Sequence, residues 1–70
     1  MSKIKNMIQG AEDLAYMLLS EGEGSIVAED NVFDFIWAHA GMEEDAKESS
    51  RDMAKTIVTE VDERYRSARG

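Results

Sequence analysis

The sequence predicts an all-α fold of three helices, long, short and long, arranged as a hairpin-like bundle. Three observations favour this class. The 70 residues contain no proline, which suits uninterrupted helix because proline disrupts a helix interior. Apolar residues recur at spacings of three and four, and only two glycine-containing breaks interrupt the pattern. At this length the chain is expected to be one domain, residues 1–70.

The first helix is predicted from Ser2 to Ser20. Ser2 is a suitable N-cap residue. Gly10 in the helix interior costs up to ~1 kcal/mol relative to alanine, which suggests that another helix passes close to this position. The apolar side chains form a single stripe, which consists of Ile4, Met7, Ile8, Ala11, Leu14, Ala15, Leu18 and Leu19.

A loop with two glycines, Ser20–Ser25, separates the first helix from a short second helix, predicted for Asn31–Ala40. Gly41 is a suitable stop after that helix. Residues 26–28 are too few to classify, and we expect them to form an extended plug over the core. Phe35 points away from the apolar face of the second helix and therefore needs a second surface that buries it.

The third helix, predicted for Met42–Ala68, would be roughly 40 Å long, more than a globule of this size is wide. We expect it to pack antiparallel on the first helix. Its first half carries little toward a core, which indicates contact with a second copy or protrusion into solvent. The predicted core consists of Ile4, Ile8, Ala11, Leu14, Leu18, Phe33, Ile36, Trp37, Met53, Ile57, Val61 and Tyr65.

The small size of the chain also predicts a homodimer. Ordering a chain costs roughly 1.5 kcal/mol per residue, which so small a core can barely offset. The chain has no cysteine, so disulfides cannot supply the missing stability, and no metal site is evident. Self-association is the usual remaining source of support.

The same residue inventory argues against catalysis and metal binding. The absence of cysteine excludes thiolate metal sites and cysteine nucleophiles. The only histidine, His39, has no nucleophile on a strained turn to act on, and no glycine-rich phosphate loop is present. The acidic clusters match neither a calcium loop nor a di-iron motif. We therefore expect no enzymatic activity, no metal and no cofactor.

Direct nucleic-acid binding and membrane insertion are also unexpected. A helix-turn-helix centred on Gly41 is rejected, because Trp37 stands where a small residue is needed. Its second helix would also begin with three carboxylates, which repel phosphate. No apolar run approaches the roughly 18 to 20 residues of a transmembrane helix, and the N-terminus does not resemble a signal peptide. We expect a soluble, cytoplasmic protein.

The charge distribution is the most informative feature of the sequence. Fifteen acidic and eight basic residues give a net charge of −7, and a field of this sign steers basic partners. Three interpretations follow: the charge only maintains solubility, it docks on a basic groove of another protein, or it imitates the phosphates of DNA. Residues 6–46 contain no lysine or arginine, and their acids are Glu12, Asp13, Glu21, Glu23, Glu29, Asp30, Asp34, Glu43, Glu44 and Asp45.

Several large side chains lie off the main apolar stripes and are suited to contact a partner. Aromatic residues and methionine are enriched at protein interfaces, and Tyr16, Met17 and Phe35 fall outside the stripes of their helices. The predicted partner-binding surface combines such side chains with acidic ones: Tyr16, Met17, Glu29, Asp30, Asp34, Phe35, Trp37, Glu43, Glu44 and Asp45.

The leading hypothesis is a small, non-enzymatic interaction module that binds a larger protein and modulates it, by inhibition in the simplest case. Short, acidic chains without cysteine suit accessory proteins of phages or mobile elements. One alternative is a nucleic-acid mimic that inhibits a DNA- or RNA-binding protein. The other is a purely structural subunit of a dimeric assembly. Salt separates the first two, because a mimic loses affinity steeply as ionic strength rises.

Overall fold

The computed structural model of the protein describes residues 3–69, with the side chains of residues 3–68. In this range the chain forms three α-helices, α1 (Lys3–Ser20), α2 (Ser25–His39) and α3 (Lys47–Arg69). A short 3-10 turn, Glu44–Ala46, precedes α3, and residues 3–69 contain no strand. The predicted all-α fold of three helices is therefore confirmed. The N-cap predicted at Ser2 lies outside the described residues.

The second helix begins six residues earlier than predicted, at Ser25 rather than Asn31. Residues 26–28, expected as an extended plug, form its first turn instead, and Ala28 donates its backbone N–H to the Gly24 carbonyl at 3.0 Å. The first two of these three side chains are exposed. Because these two side chains do not belong to the buried face of α2, the spacing of apolar residues in the sequence does not reveal this first turn.

The α2–α3 connection contains two consecutive residues with left-handed backbone. Gly41 has a φ of +75°. A residue with left-handed backbone commonly ends a helix, so the stop predicted at Gly41 is confirmed. Met42 follows with a φ of 55° and donates its backbone N–H to the Trp37 carbonyl at 2.9 Å. The reversal delays the start of α3 to Lys47, five residues after the predicted start at Met42.

The interior glycine of α1 marks a close contact between helices, as the sequence predicted. A Cβ at Gly10 would lie 2.8 Å from Cζ of Phe35 on α2, well inside the distance at which two carbon atoms pack. The half-buried Phe35 ring therefore packs on α1, which is the second surface that the sequence analysis expected to bury it. Because only residues 21–24 connect them, α1 and α2 form a helical hairpin.

Contacts along α2 and α3 show that these two helices are antiparallel. Arg51 lies over the ring of Phe33, and Lys47 lies over the ring of Trp37, so residue numbers rise along one helix as they fall along the other. The sequence analysis had assigned this extended antiparallel pairing to α1 and α3. The physical reason for the difference is that α2 has fifteen residues rather than the ten predicted, so α3 finds its antiparallel partner in α2.

The middle of α1 meets the C-terminal part of α3. The rings of Tyr16 and Tyr65 pack edge to face, with their centroids 5.7 Å apart. One turn earlier in α1, a Glu12 carboxylate oxygen lies 3.5 Å from a guanidinium nitrogen of Arg64. These two contacts attach α3 to α1.

Apolar residues of all three helices form the core, and most of the predicted core is confirmed. The prediction that Ile4 belongs to the core is wrong, because its side chain is 64% exposed. Helical periodicity identifies an apolar stripe but not how far along it the neighbouring helices reach. The predicted residues that are buried are Ala11, Phe33, Ile36, Ile57 and Val61, and those partly buried against them are Ile8, Leu14, Leu18, Trp37 and Met53. Tyr65, also predicted, is half-buried. The buried apolar residues absent from the predicted core are Ala15, Leu19, Ala28, Val32, Ala54 and Val58.

Candidate functional site

The structure distributes the ten predicted partner-binding residues over several places. Phe35 is half-buried against α1, while Tyr16 and Met17 are 52% and 46% exposed on α1. Glu29 and Asp30 lie on α2 beside an arginine of α3. Of the remaining five, Trp37 is half-buried on the side of α2 that faces α3, and Asp34 is exposed on α2. The other three lie in the α2–α3 connection, and they are Glu43, Glu44 and Asp45.

Two rings of α2 form an aromatic stack, Phe33 and Trp37, that cations of α3 cover. The ring centroids are 5.6 Å apart with an interplanar angle of 18°, as the i,i+4 spacing on one helix allows. The guanidinium carbon of Arg51 lies 4.1 Å from the Phe33 centroid, and Nζ of Lys47 lies 5.2 Å from that of Trp37. Cations are attracted to the electron-rich ring faces, so this stack attaches α3 to α2.

The guanidinium of Arg51 also neutralises part of the acidic middle segment. One of its nitrogens lies 2.9 Å from the Asp30 carboxylate and 3.5 Å from that of Glu29. Sequence reasoning missed this pairing because Arg51 follows Asp30 by 21 positions and only the packing of α3 on α2 brings them together. Two acids predicted to face a partner therefore have a partner inside the chain.

A different group of acids remains without such neutralisation. We define the acidic corner as residues 42–45, the exposed turn between α2 and α3. Its carboxylates, from Glu43, Glu44 and Asp45, are all exposed, and none of them forms an ion pair with a basic side chain of residues 3–68. Like charges gathered on so short a segment produce a local negative field.

The acidic corner also presents an exposed apolar side chain. Met42 is 61% exposed, and its left-handed backbone costs of order 1 to 2 kcal/mol for a residue with a Cβ. The sequence analysis began the third helix at Met42, which is wrong because Met42 has left-handed backbone and α3 begins at Lys47. The signal that could have revealed it was its position directly after the stop at Gly41.

Two hydrogen bonds hold the acidic corner on the end of α2. The indole Nε1 of Trp37 donates to the Glu43 carbonyl at 2.8 Å, and the Trp37 carbonyl accepts the backbone N–H of Met42 at 2.9 Å. Trp37, predicted as a partner contact, thus fixes the turn from behind. The exposed group therefore has a defined shape in the folded chain.

Part of the charge in the acidic corner also stabilises the fold. Glu44 and Asp45 begin the 3-10 turn, and Glu48 lies in the first turn of α3. Acidic residues at a helix N-terminus interact favourably with the helix dipole, each typically by about 0.3 to 1 kcal/mol. This effect accounts for acids at the start of α3, but it does not account for an exposed methionine beside them.

Neither a metal site nor a membrane-spanning helix is found in the described part of the chain. Among residues 3–69, no three histidine or acidic side chains lie close enough together to hold a metal ion. No helix in that range is both long and apolar enough to cross a membrane.

Comparison of the chain with protein-family profiles, curated proteins and solved structures finds no match.

Proposed function

We propose that this chain is a non-enzymatic protein-interaction module that docks on a basic surface of a larger protein through the acidic corner. One observation carries the proposal: Met42 is held exposed, in a costly backbone conformation, beside three exposed carboxylates. Non-glycine residues in such conformations are concentrated at functional sites. The partner surface that fits this group is an apolar pocket with lysine or arginine around its rim.

The two kinds of side chain have different parts in this docking. Carboxylates without internal partners speed the approach of a basic surface and fix its orientation. Methionine is flexible enough to fill an irregular pocket, and full burial of such a side chain contributes about 1.5 to 3 kcal/mol. Because hydrogen bonds from and to Trp37 already fix the corner, little conformational entropy is lost on binding.

The arrangement of charge favours local docking over imitation of nucleic acid. A mimic needs a continuous track of available carboxylates, whereas Arg51 engages Glu29 and Asp30 and Arg64 engages Glu12. The other acids of residues 6–46 without an ion pair to a described basic side chain are scattered along the chain, at Asp13, Glu21, Glu23 and Asp34, whereas the carboxylates of the acidic corner form a compact group. A module that occupies a basic groove in this way inhibits by competition any ligand that needs the same groove.

Site-specific cross-linking tests the proposal directly. A photo-reactive side chain is placed at position 42, and at position 59 as a control, since Thr59 is exposed on α3. In the cells that express this chain, we expect one covalent adduct with a basic protein from position 42 and none from position 59. The absence of an adduct at position 42, or equal adducts at both positions, would contradict the proposal.

The protein captured in this way permits a charge-matched comparison of variants. Replacing Glu44 and Asp45 by lysine should abolish binding, whereas replacing Glu60 and Glu63 by lysine changes the charge equally on an exposed part of α3 and should preserve it. Met42→Ala, which alters no charge, should also weaken binding. A steep fall of affinity with salt, together with no response to Met42→Ala, would instead support a nucleic-acid mimic.

A further inference from the structure

The helical hairpin of α1 and α2 has two sides, and α3 packs on one of them. On α2, Phe33 and Trp37 lie under cations of α3, and on α1 the ring of Tyr16 packs on that of Tyr65. Successive residues of a helix lie roughly 100° apart. The residues of the hairpin that point neither toward these contacts nor toward the core therefore form a second side, opposite α3.

The second side of the hairpin carries exposed side chains from both helices. On α2, Val27, Asn31 and Ala38 recur at spacings of four and seven residues, so they lie along one side of the helix, and all three are exposed. On α1, Asp13 and Met17 are spaced in the same way and are exposed as well. We define the hairpin groove as the strip between α1 and α2 on this side, formed by Gly10, Asp13, Met17, Val27, Asp34 and Phe35.

The pairing of the two helices brings the apolar side chains of the hairpin groove together. Gly10 and Phe35 lie at equal distances from the connection, residues 21–24, and they touch. Met17 and Val27 lie at nearly equal distances from the same connection, so they are neighbours across the groove, and they are 46% and 42% exposed. Met17 follows Gly10 by seven residues, which is roughly 10 Å along the helix. The groove therefore offers two apolar contacts about two helical turns apart.

One carboxylate lies on each edge of the hairpin groove. Asp13 belongs to α1 and Asp34 to α2, and both are exposed. Neither forms an ion pair with a basic side chain of residues 3–68. Asp13 precedes Met17 by four residues and Asp34 follows Val27 by seven, so each acid is on the same side of its helix as an apolar residue of the groove. An apolar strip between two negative edges is complementary to a basic, amphipathic occupant.

We infer that the hairpin groove binds a basic amphipathic helix of a partner protein, which lies along α1 and α2 as a fourth helix. Apolar side chains two turns apart on that helix cover Phe35 at one contact and Met17 with Val27 at the other. Lysine or arginine on its two flanks meets Asp13 and Asp34. A second copy of this chain fits less well, because it also has a charge of −7 and brings the same two carboxylates to the contact. The inference does not depend on the acidic corner.

A designed peptide tests the groove on the intact chain. The probe is a synthetic helix of about five turns with leucines along one side and lysines on both flanks, and the control is a peptide of the same composition in scrambled order. Titration with the probe should change the backbone amide chemical shifts of Asp13, Met17, Val27 and Phe35. The scrambled peptide should bind at least about tenfold more weakly. Shift changes confined to residues 42–45, or equal binding of the two peptides, would overturn the inference.

Two neighbouring apolar residues of α2 provide a matched pair of variants. Val27 lies in the hairpin groove, whereas Ile26 precedes Phe33 by seven residues, so it lies on the side that faces α3, and it is 78% exposed. Val27→Asp should raise the dissociation constant of the probe about tenfold, and Ile26→Asp should leave it unchanged. Met17→Asp, on the other helix, should act like Val27→Asp. Equal effects at positions 26 and 27 would show that the peptide binds elsewhere.

The two carboxylates are tested against a control that removes the same charge. Asp13→Asn combined with Asp34→Asn should weaken binding of the probe about fivefold at low salt. Asp52→Asn combined with Glu60→Gln, at exposed positions of α3, should leave it unchanged, and equal losses would overturn the inference. Concentration-dependent shifts at Met17 without peptide would assign the groove to a second copy and would overturn it as well.

Discussion

The indole Nε1 of Trp37 donates a 2.8 Å hydrogen bond to the carbonyl oxygen of Glu43, across the turn that ends α2. The same ring stacks on Phe33 and lies under Lys47. One side chain therefore connects the helix, the acidic corner and the first turn of α3. Trp37, which the sequence analysis predicted as a partner contact, supports in the structure the turn that carries the three exposed carboxylates.

Removing this hydrogen bond should loosen the acidic corner while the ring stack survives. Trp37→Phe keeps an aromatic ring but removes the indole donor, so the Glu43 carbonyl retains only the bond from the Ala46 backbone N–H at 3.0 Å. We expect a loss of about 1 kcal/mol in the free energy of unfolding, measured by urea denaturation. Hydrogen exchange at the Met42 amide should also accelerate, since the turn opens more often. Unchanged exchange at Met42 would show that the bond does not hold the turn.

Met42→Gly should stabilise the fold and weaken docking at the same time. Glycine adopts positive φ without the steric cost that a Cβ imposes, but it loses more backbone entropy on folding. The expected net gain in the free energy of unfolding is about 0.5 to 1 kcal/mol, measured by denaturation. Affinity for the partner protein should fall, because the apolar side chain is gone.

A β-branched residue at the same position provides the control. Met42→Val retains an apolar side chain but fits the left-handed conformation poorly, so it should lower the free energy of unfolding. If glycine and valine variants proved equally stable, the backbone at Met42 would not be strained. A gain in stability with no loss of affinity would remove Met42 from the proposed docking group.

Gly10 and Met42 show most clearly which features of the fold could be predicted from the sequence and which could not. A glycine in a helix interior has a known cost, so Gly10 correctly predicted a close neighbour, although only the structure identifies it as Phe35. Met42 follows a glycine that ends a helix, yet helix periodicity placed it in the next helix. The reversal depends on the backbone of two adjacent residues, and no side-chain pattern reports it.

Contacts between residues that are far apart in the sequence could not be predicted from it either. The acidic segment was recognised from composition alone, but Arg51 returns from α3 to neutralise Glu29 and Asp30. Its effect depends on which face of α3 meets α2, which the sequence leaves open. The predicted site therefore contained both neutralised and available acids, and the structure separates them.

The contact between Gly10 and Phe35 should behave as a coupled pair. Gly10→Ala gains up to ~1 kcal/mol of helix propensity, but its Cβ would meet Phe35 Cζ at 2.8 Å, and overpacking typically costs about 1 to 3 kcal/mol. We expect a net destabilisation of about 1 kcal/mol by thermal or urea unfolding. Combining it with Phe35→Leu, which removes the far end of the ring, should recover part of this loss. Strictly additive effects would show that the two residues do not touch.

The stabilising effect of Arg51 should depend on salt. Arg51→Ala removes two ion pairs and the cation over Phe33, and it should lower the free energy of unfolding by about 1 kcal/mol, since the side chain is 39% exposed and partly screened. Raising the salt concentration should narrow the gap between variant and wild type, because screening weakens the ion pairs.

Arg66→Ala is the matched control for that experiment. Arg66 is 78% exposed, and among the described residues its ion pair lies within its own helix, with Asp62 at 3.2 Å, so its loss should cost about 0.3 kcal/mol. Suppose that Arg51→Ala and Arg66→Ala lowered the free energy of unfolding by the same small amount at low salt. The contact of α3 with Glu29, Asp30 and Phe33 would then contribute little to stability. The acids of α2 would then be available to a partner, and the docking surface would extend along α2 beyond the acidic corner.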